Sequence, residues 1–160
     1  MNLIIDVGNS FIKVAVFKAD KVVEVAQTAE SDFLKKISNI FENHPSIAKI
    51  MVSSVGKLSD AYIEGLSVFA PVLILNKNSK LPFKNEYATP NTLGVDRIAL
   101  VAAAFYAYPQ KNCLVIDAGT CITYDFLDEK GVYKGGAISP GIRMRYKAMH
   151  AFTAKLPLID

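Results

Sequence analysis

Two aspartates, Asp6 and Asp117, stand in stretches that say nearly the same thing: Ile4-Ile5-Asp6-Val7-Gly8-Asn9-Ser10 and Val115-Ile116-Asp117-Ala118-Gly119-Thr120-Cys121. Each reads as an apolar strand, an Asp-x-Gly turn with a small polar residue, and a second strand. One such turn is ordinary hairpin chemistry. Two in matching order point to a duplicated unit. The pattern suits polyphosphate: Gly8 and Gly119 let the backbone approach closely, backbone N–H groups and the Ser10 or Thr120 hydroxyl donate to phosphate oxygens, and the carboxylate addresses a cation. The plainer alternative is that both carboxylates bond nearby backbone N–H groups in their turns. That reading does not require the duplication.

A second constellation is Gly94-Val95-Asp96-Arg97. Arg97 offers a planar fork for a carboxylate or phosphate, and Asp96 can accept the proton of an alcohol attacking a γ-phosphate. Against this, Asp in the first turn of a helix is favoured by the dipole alone, and Arg97 can simply pair across a surface. Tyr87, in a polar stretch, is hard to explain as core. Other chemistries fail on inspection. Gly56-Lys57 is followed by Leu58 and has no glycine five positions earlier, so no phosphate loop of the GxxxxGK[ST] type exists, and GxGxxG is absent. Ala137-Ile138-Ser139-Pro140-Gly141 resembles a nucleophile elbow, but Pro140 lacks the N–H an oxyanion hole needs, so it reads as a turn into a helix. Cys113, Cys121, His44 and His150 have no zinc-site spacing, and the cysteines read as free thiols on buried strands.

Composition agrees with a nucleotide-handling globular protein. The 160 residues are 51% hydrophobic and 21% charged, enough for a real core, and the net charge of +3 comes from scattered lysines. A nucleic-acid partner would need clustered charge. No leader is evident at Met1-Asn2-Leu3-Ile4-Ile5-Asp6, and the longest apolar run, residues 98–108, is too short for a bilayer, so a cytoplasmic protein without membrane contact is expected.

The elements that must position these residues follow from periodicity. Strands are expected at Leu3 to Val7, Phe11 to Lys18 and Lys21 to Thr28, then a helix capped by Ser31 and carrying Phe33, Leu34, Ile37, Ile40 and Phe41. A strand from Ile47 to Val55, a helix from Ser59 to Phe69 and a strand from Val72 to Leu75 complete a βββαβαβ order. Asn76 to Thr92, with Pro82 and Pro90, reads as a long loop, and Gly94 to Ala107 as a helix stopped by Pro109. The strand pattern then restarts with Cys113 to Asp117, Cys121 to Leu127 and Val132 to Gly135, followed by a Gly135-Gly136 turn and a helix from about Pro140 to Phe152. This divides the chain into a first lobe, 1–109, and a second, 110–160. The second is either degenerate or part of a longer lobe, and its exposed edges favour the latter.

In this order, Asp6-Val7-Gly8-Asn9-Ser10, Gly94-Val95-Asp96-Arg97, Asp117-Ala118-Gly119-Thr120 and Gly135-Gly136-Ala137-Ile138-Ser139-Pro140-Gly141 resemble the type III pantothenate kinases. The resemblance covers Met1 to about Leu158. It implies an α/β ribonuclease H-like, actin-like ATPase fold with two duplicated lobes, the second incomplete here, and ATP in the cleft. It places ATP contacts on Asp6, Val7, Gly8, Asn9, Ser10, Phe11, Ile12, Lys13 and Thr120, and a monovalent cation, potassium or ammonium, on Asp117. Substrate contacts fall on Tyr87, Gly94, Val95, Asp96 and Arg97, with Asp96 as proton acceptor. The implied reaction is phosphorylation of pantothenate by magnesium-ATP to 4′-phosphopantothenate, the first step of coenzyme A synthesis, in a homodimer. Ser10 stands where threonine is common and Cys121 where a small residue such as alanine is usual; both are mild departures.

Two other readings compete with this one. A non-catalytic nucleotide-binding accessory relative keeps the fold but has no use for Asp96. A phosphatase of the same superfamily needs a water-activating carboxylate in place of an alcohol site.

Overall fold

The computed structural model describes residues 1–8, 11–54 and 59–159. Asn9 and Ser10, the Val55 end of the fourth expected strand, and Gly56-Lys57-Leu58 lie outside the described residues. Contacts group the chain into two compact units, Met1–Ser79 with Gly94–Asp96, and Lys80–Leu93 with Arg97–Asp160. Sequence periodicity divides the chain at 109 instead. The difference arises because segment 80–93 and the body of the helix after Asp96 hydrogen-bond and pack with the second sheet.

In the first unit, β1 (Asn2–Val7), β2 (Ile12–Lys18), β3 (Lys21–Thr28), β4 (Lys49–Ser54) and β5 (Val72–Ile74) form one sheet in the order β3-β2-β1-β4-β5. The first three strands are an antiparallel meander, while β4 runs parallel to β1 and β5 parallel to β4. Period-two alternation turns Leu3, Ile5 and Val7 of β1 and Ile12, Val14 and Val16 of β2 to one face. There they meet Phe33, Ile37 and Ile40 of α1 (Phe33–Asn43) and Leu66 of α2 (Asp60–Ser67). Each fully buried Leu or Ile in that layer contributes about 1.5–3 kcal/mol relative to exposure. The start of α1 differs from expectation. A short 3₁₀ turn, Glu30–Asp32, leads in, and the Ser31 hydroxyl donates to the Asp32 carboxylate at 3.3 Å instead of capping a backbone N–H.

In the second unit, β6 (Lys84–Asn85), β7 (Cys113–Ala118), β8 (Cys121–Leu127) and β9 (Val132–Pro140) form a sheet ordered β6-β9-β8-β7. The helices are α3 (Val95–Ala107), whose residues from Arg97 onward belong to this unit, and α4 (Ile142–Ala151). Two expectations are corrected here. The polar stretch 76–92 is not all loop, because β6 pairs parallel with β9, Lys84 N–H donating to Gly131 O at 2.9 Å and Glu86 N–H to Tyr133 O at 3.0 Å. A two-residue edge strand is too short to leave a periodic signal. Likewise Gly135-Gly136 is no turn: β9 continues to Pro140, with a bulge against Phe126/Leu127 absorbed at Gly135, whose φ of 108° is open to glycine. Cys113 and Cys121 are free thiols, half-buried where full burial was expected.

Candidate functional site

The two Asp-x-Gly stretches place their aspartates alike. Asp6 is the penultimate residue of β1, opposite Lys13 of β2 and Ser53 of β4. Beyond the end of β1, Gly8 N–H donates to Phe11 O at 3.2 Å. Asp117 is the penultimate residue of β7, opposite Thr123 of β8, and is exposed. Its turn is only Gly119-Thr120, closed by Gly119 N–H to Cys121 O at 2.9 Å. Gly141 buttresses that turn: its N–H donates to Thr120 O at 3.0 Å, and a Cβ there would run into the Gly119 and Thr120 carbonyls. Of the remaining residues expected at a nucleotide, Val7 and Ile12 are core, Phe11 and Lys13 are exposed beside them, and Thr120 is exposed.

A feature common to both aspartates is the hydroxyl across the ladder. Ser53 Oγ and Thr123 Oγ1 are buried side-chain oxygens with no hydrogen-bond partner among the described residues. Buried polar atoms are normally satisfied, so each of these two stands out. Asp117 and Thr123 share one face as a cross-strand pair. This all-oxygen pair fits a hard cation such as potassium; among the described residues no cluster of three His, Cys, Asp or Glu forms. Any such cation would complete its shell from backbone carbonyls, water or nucleotide oxygens.

Around Arg97 the second unit builds a closed polar network. α3 turns Arg97 inward with Ile98, Val101 and Ala104, and the residue is only 4% exposed. A buried charge must be paired. Asp125, fully buried on β8, supplies the partner: Arg97 Nη2 donates to Oδ1 at 2.6 Å, and Nε donates to Oδ1 at 3.0 Å and Oδ2 at 3.2 Å. Tyr133 of β9 donates its hydroxyl to the same Oδ1 at 2.6 Å. The Arg97 carbon Cζ lies 5.4 Å from the Tyr87 ring centroid, and that ring stacks on Tyr133 at 6.0 Å and 7°. Burial opposes charge on Arg97, yet the hydrogen bond and charge of Asp125 more than offset it and raise the guanidinium pKa. Burial first, then the Asp125 carboxylate, push the Tyr133 phenol far above its usual value, so Tyr133 remains a donor.

Thus Tyr87 and Arg97, nominated separately from sequence, lie together. Gly135, on β9, lies against the same ring, since a Cβ there would sit 3.3 Å from Tyr87 Cδ2. Asp96 and Gly94 belong to the first unit, where Asp96 is half-buried in the first turn of α3 with its carboxylate folded over Gly94, so closely that a Cβ on Gly94 would collide with it. Val95 opens the helix. Sequence reasoning missed Asp125 and Tyr133. The signal was present: Thr123, Asp125 and Leu127 alternate onto one buried face of β8, and a carboxylate on such a face demands a cation.

Comparison with solved structures defines the class. A phosphatase of the Ppx/GppA type from Aquifex aeolicus aligns at a TM-score of 0.54 with 13% identity, covering 99% of this chain and 57% of that one. A 2-dehydro-3-deoxygalactonokinase described as putative, from Sinorhizobium meliloti, aligns at 0.51 with 13% identity, covering 96% and 58%. The chain therefore has the α/β ribonuclease H-like fold of actin-like ATPases and sugar kinases. A Campylobacter jejuni protein, described as a putative Baf family transcriptional activator, aligns at 0.58 with 26% identity, covering 93% and 59%.

Within that class, the family model of type III pantothenate kinases matches residues 2–160. The type III pantothenate kinases of Flavobacterium psychrophilum and Christiangramia forsetii are 51% and 53% identical to it over 159 residues. The chain belongs to the type III pantothenate kinase family. It spans 99% of itself in these alignments and 66% and 65% of the two relatives' lengths.

Proposed function

We propose that the protein carrying this chain transfers the γ-phosphoryl group of ATP to the hydroxyl of pantothenate, giving 4′-phosphopantothenate and ADP in the first step of coenzyme A synthesis. The observation that carries this reading is the Arg97–Tyr87 pair, a fixed cation over an aromatic face, within a chain matched to the family over residues 2–160. Arg97 and Tyr87 hold the carboxylate-bearing acceptor, with Gly94 and Val95 shaping the start of α3. Asp96 accepts the hydroxyl proton as the oxygen attacks phosphorus. The segment Asp6 to Lys13, together with Thr120, binds ATP as its magnesium complex.

Asp117 is the carboxylate for a monovalent cation, with the Thr123 hydroxyl beside it in register. When bound, the cation supplies positive charge toward the phosphates. We place the protein in the cytoplasm and read it as a homodimer without nucleic-acid or membrane partners; among the described residues, no helix is long and apolar enough to cross a membrane.

The test is ATP consumption by the full-length protein with pantothenate, in potassium and in sodium, alongside Asp96→Asn. Potassium-dependent turnover that falls about a hundredfold to ten-thousandfold in Asp96→Asn is expected. Wild-type turnover in Asp96→Asn removes the role of Asp96, and absence of any pantothenate-dependent turnover removes the reading.

A further inference from the structure

Arg97 is an unusual choice for a group that greets a substrate, because most of its fork is already occupied. Asp125 takes Nε and Nη2, leaving Nη1 as the nitrogen it does not take. Asp125 in turn is held by the Tyr133 hydroxyl, and Tyr133 is fixed by stacking on Tyr87 and by an edge contact from Phe83 at 6.0 Å and 72°. The network thus closes on itself: Tyr87 carries the guanidinium, Asp125 grips its inner edge, and Tyr133 braces both. All four residues come from different elements, the segment after β6, α3, β8 and β9, so no single element sets the orientation.

We propose that Asp125, braced by Tyr133, is a positioning residue that sets the Arg97 guanidinium over Tyr87 for the acceptor's carboxylate. This rests on the pantothenate-kinase reading above. An arginine on a free stem loses rotamer freedom when it captures an anion, whereas here that loss is met on folding. Occupation of Nε and Nη2 also excludes bidentate capture of the acceptor along that edge. A lone buried counter-ion would require the Asp125 contact but not the aromatic brace or the phenol donor. Because Asp125 acts through a binding group and not on the transferred phosphoryl, its loss belongs in KM for the acceptor and not in kcat.

The experiment measures steady-state kinetics of the full-length protein for wild type, Asp125→Asn and Tyr133→Phe, varying pantothenate and ATP separately, with a thermal melt of each. Asp125→Asn is expected to raise the pantothenate KM tenfold or more, with the ATP KM within twofold and kcat within threefold of wild type. Tyr133→Phe, which keeps the ion pair and removes one brace, is expected to raise the pantothenate KM about threefold. An unchanged pantothenate KM in a folded Asp125→Asn overturns the proposal, as does a joint loss in kcat and both KM values, the mark of a general structural role. If Asp125→Asn shows no cooperative melt, Tyr133→Phe decides: a selective rise supports the proposal and none overturns it. A wild type that turns over no pantothenate removes the kinase reading and this proposal with it, an outcome distinct from active wild type with unaffected variants.

Discussion

Arg97 and Asp125, 28 residues apart in sequence, form a buried ion pair in which Nη2 lies 2.6 Å from Oδ1, with side-chain exposures of 5% and 0%. Its energetic consequence is asymmetric. Removing one partner leaves a buried charge alone, whereas removing both leaves an apolar patch. Arg97→Met or Asp125→Leu alone is expected to cost about 3–5 kcal/mol in urea denaturation, and the double variant to recover at least half of the summed loss. Strict additivity would show that the two charges are not each other's main partner.

Glu86 gives the clearest pH dependence. Lys134 first and Lys84 second hydrogen-bond its carboxylate at 2.8 and 2.7 Å and hold its pKa down to about 2 from 4.5. A carboxylate with a lowered folded pKa contributes stability above its unfolded value and loses it as pH falls through the folded one. The melting-temperature gap between wild type and Glu86→Gln is therefore expected to be full at neutral pH, to shrink below pH 4.5 and to close near pH 2. Added salt narrows it at neutral pH, because the group is at the surface. A gap that ignores both pH and salt would assign the effect to something other than charge.

Gly141 and Gly119 make a matched pair for a packing test. A Cβ at 141 collides with two backbone carbonyls, whereas one at 119 meets only Cys121 O at an ordinary 3.8 Å. Gly141→Ala is expected to destabilise by about 1–3 kcal/mol, and Gly119→Ala by well under that. Equal losses in chemical denaturation would mean that the buttress under the second Asp-x-Gly turn is not rigid.

Ser53 and Thr123 offer a test in the opposite direction. Their hydroxyls are buried without a partner among the described residues, so the ligand-free protein gains nothing from them. Ser53→Ala and Thr123→Val are expected to be neutral or to stabilise by up to about 1 kcal/mol without ligand, read from melting curves. A loss above about 1 kcal/mol for either would reveal a partner satisfied in the ligand-free state.

Much of the fold was legible in local pattern. The alternation of Ile12, Val14 and Val16 and the helical spacing of Phe33, Ile37 and Ile40 lead directly to β2, α1 and the face each buries, because periodicity reflects which side meets water. Where local pattern failed, pairing was set from outside the segment. The strand β6 exists because β9 offers it an edge, and β9 runs on through Gly135-Gly136 because glycine tolerates a bulge there as readily as a turn.

By itself, the sequence determined the family, the paired Asp-x-Gly turns, and the nomination of Tyr87, Asp96 and Arg97. Only the tertiary structure decided what each of those groups has left to give. β8 begins at Cys121, directly after Gly119-Thr120, whereas β2 begins only at Ile12 despite the near-identical wording, and the fork of Arg97 is mostly filled by Asp125. The physical reason is that a side chain's residue type sets which bonds it can make, but sheet register and helix packing choose the partner. For a charge taken out of water, that choice of partner decides how much of the group is already spent in the folded chain.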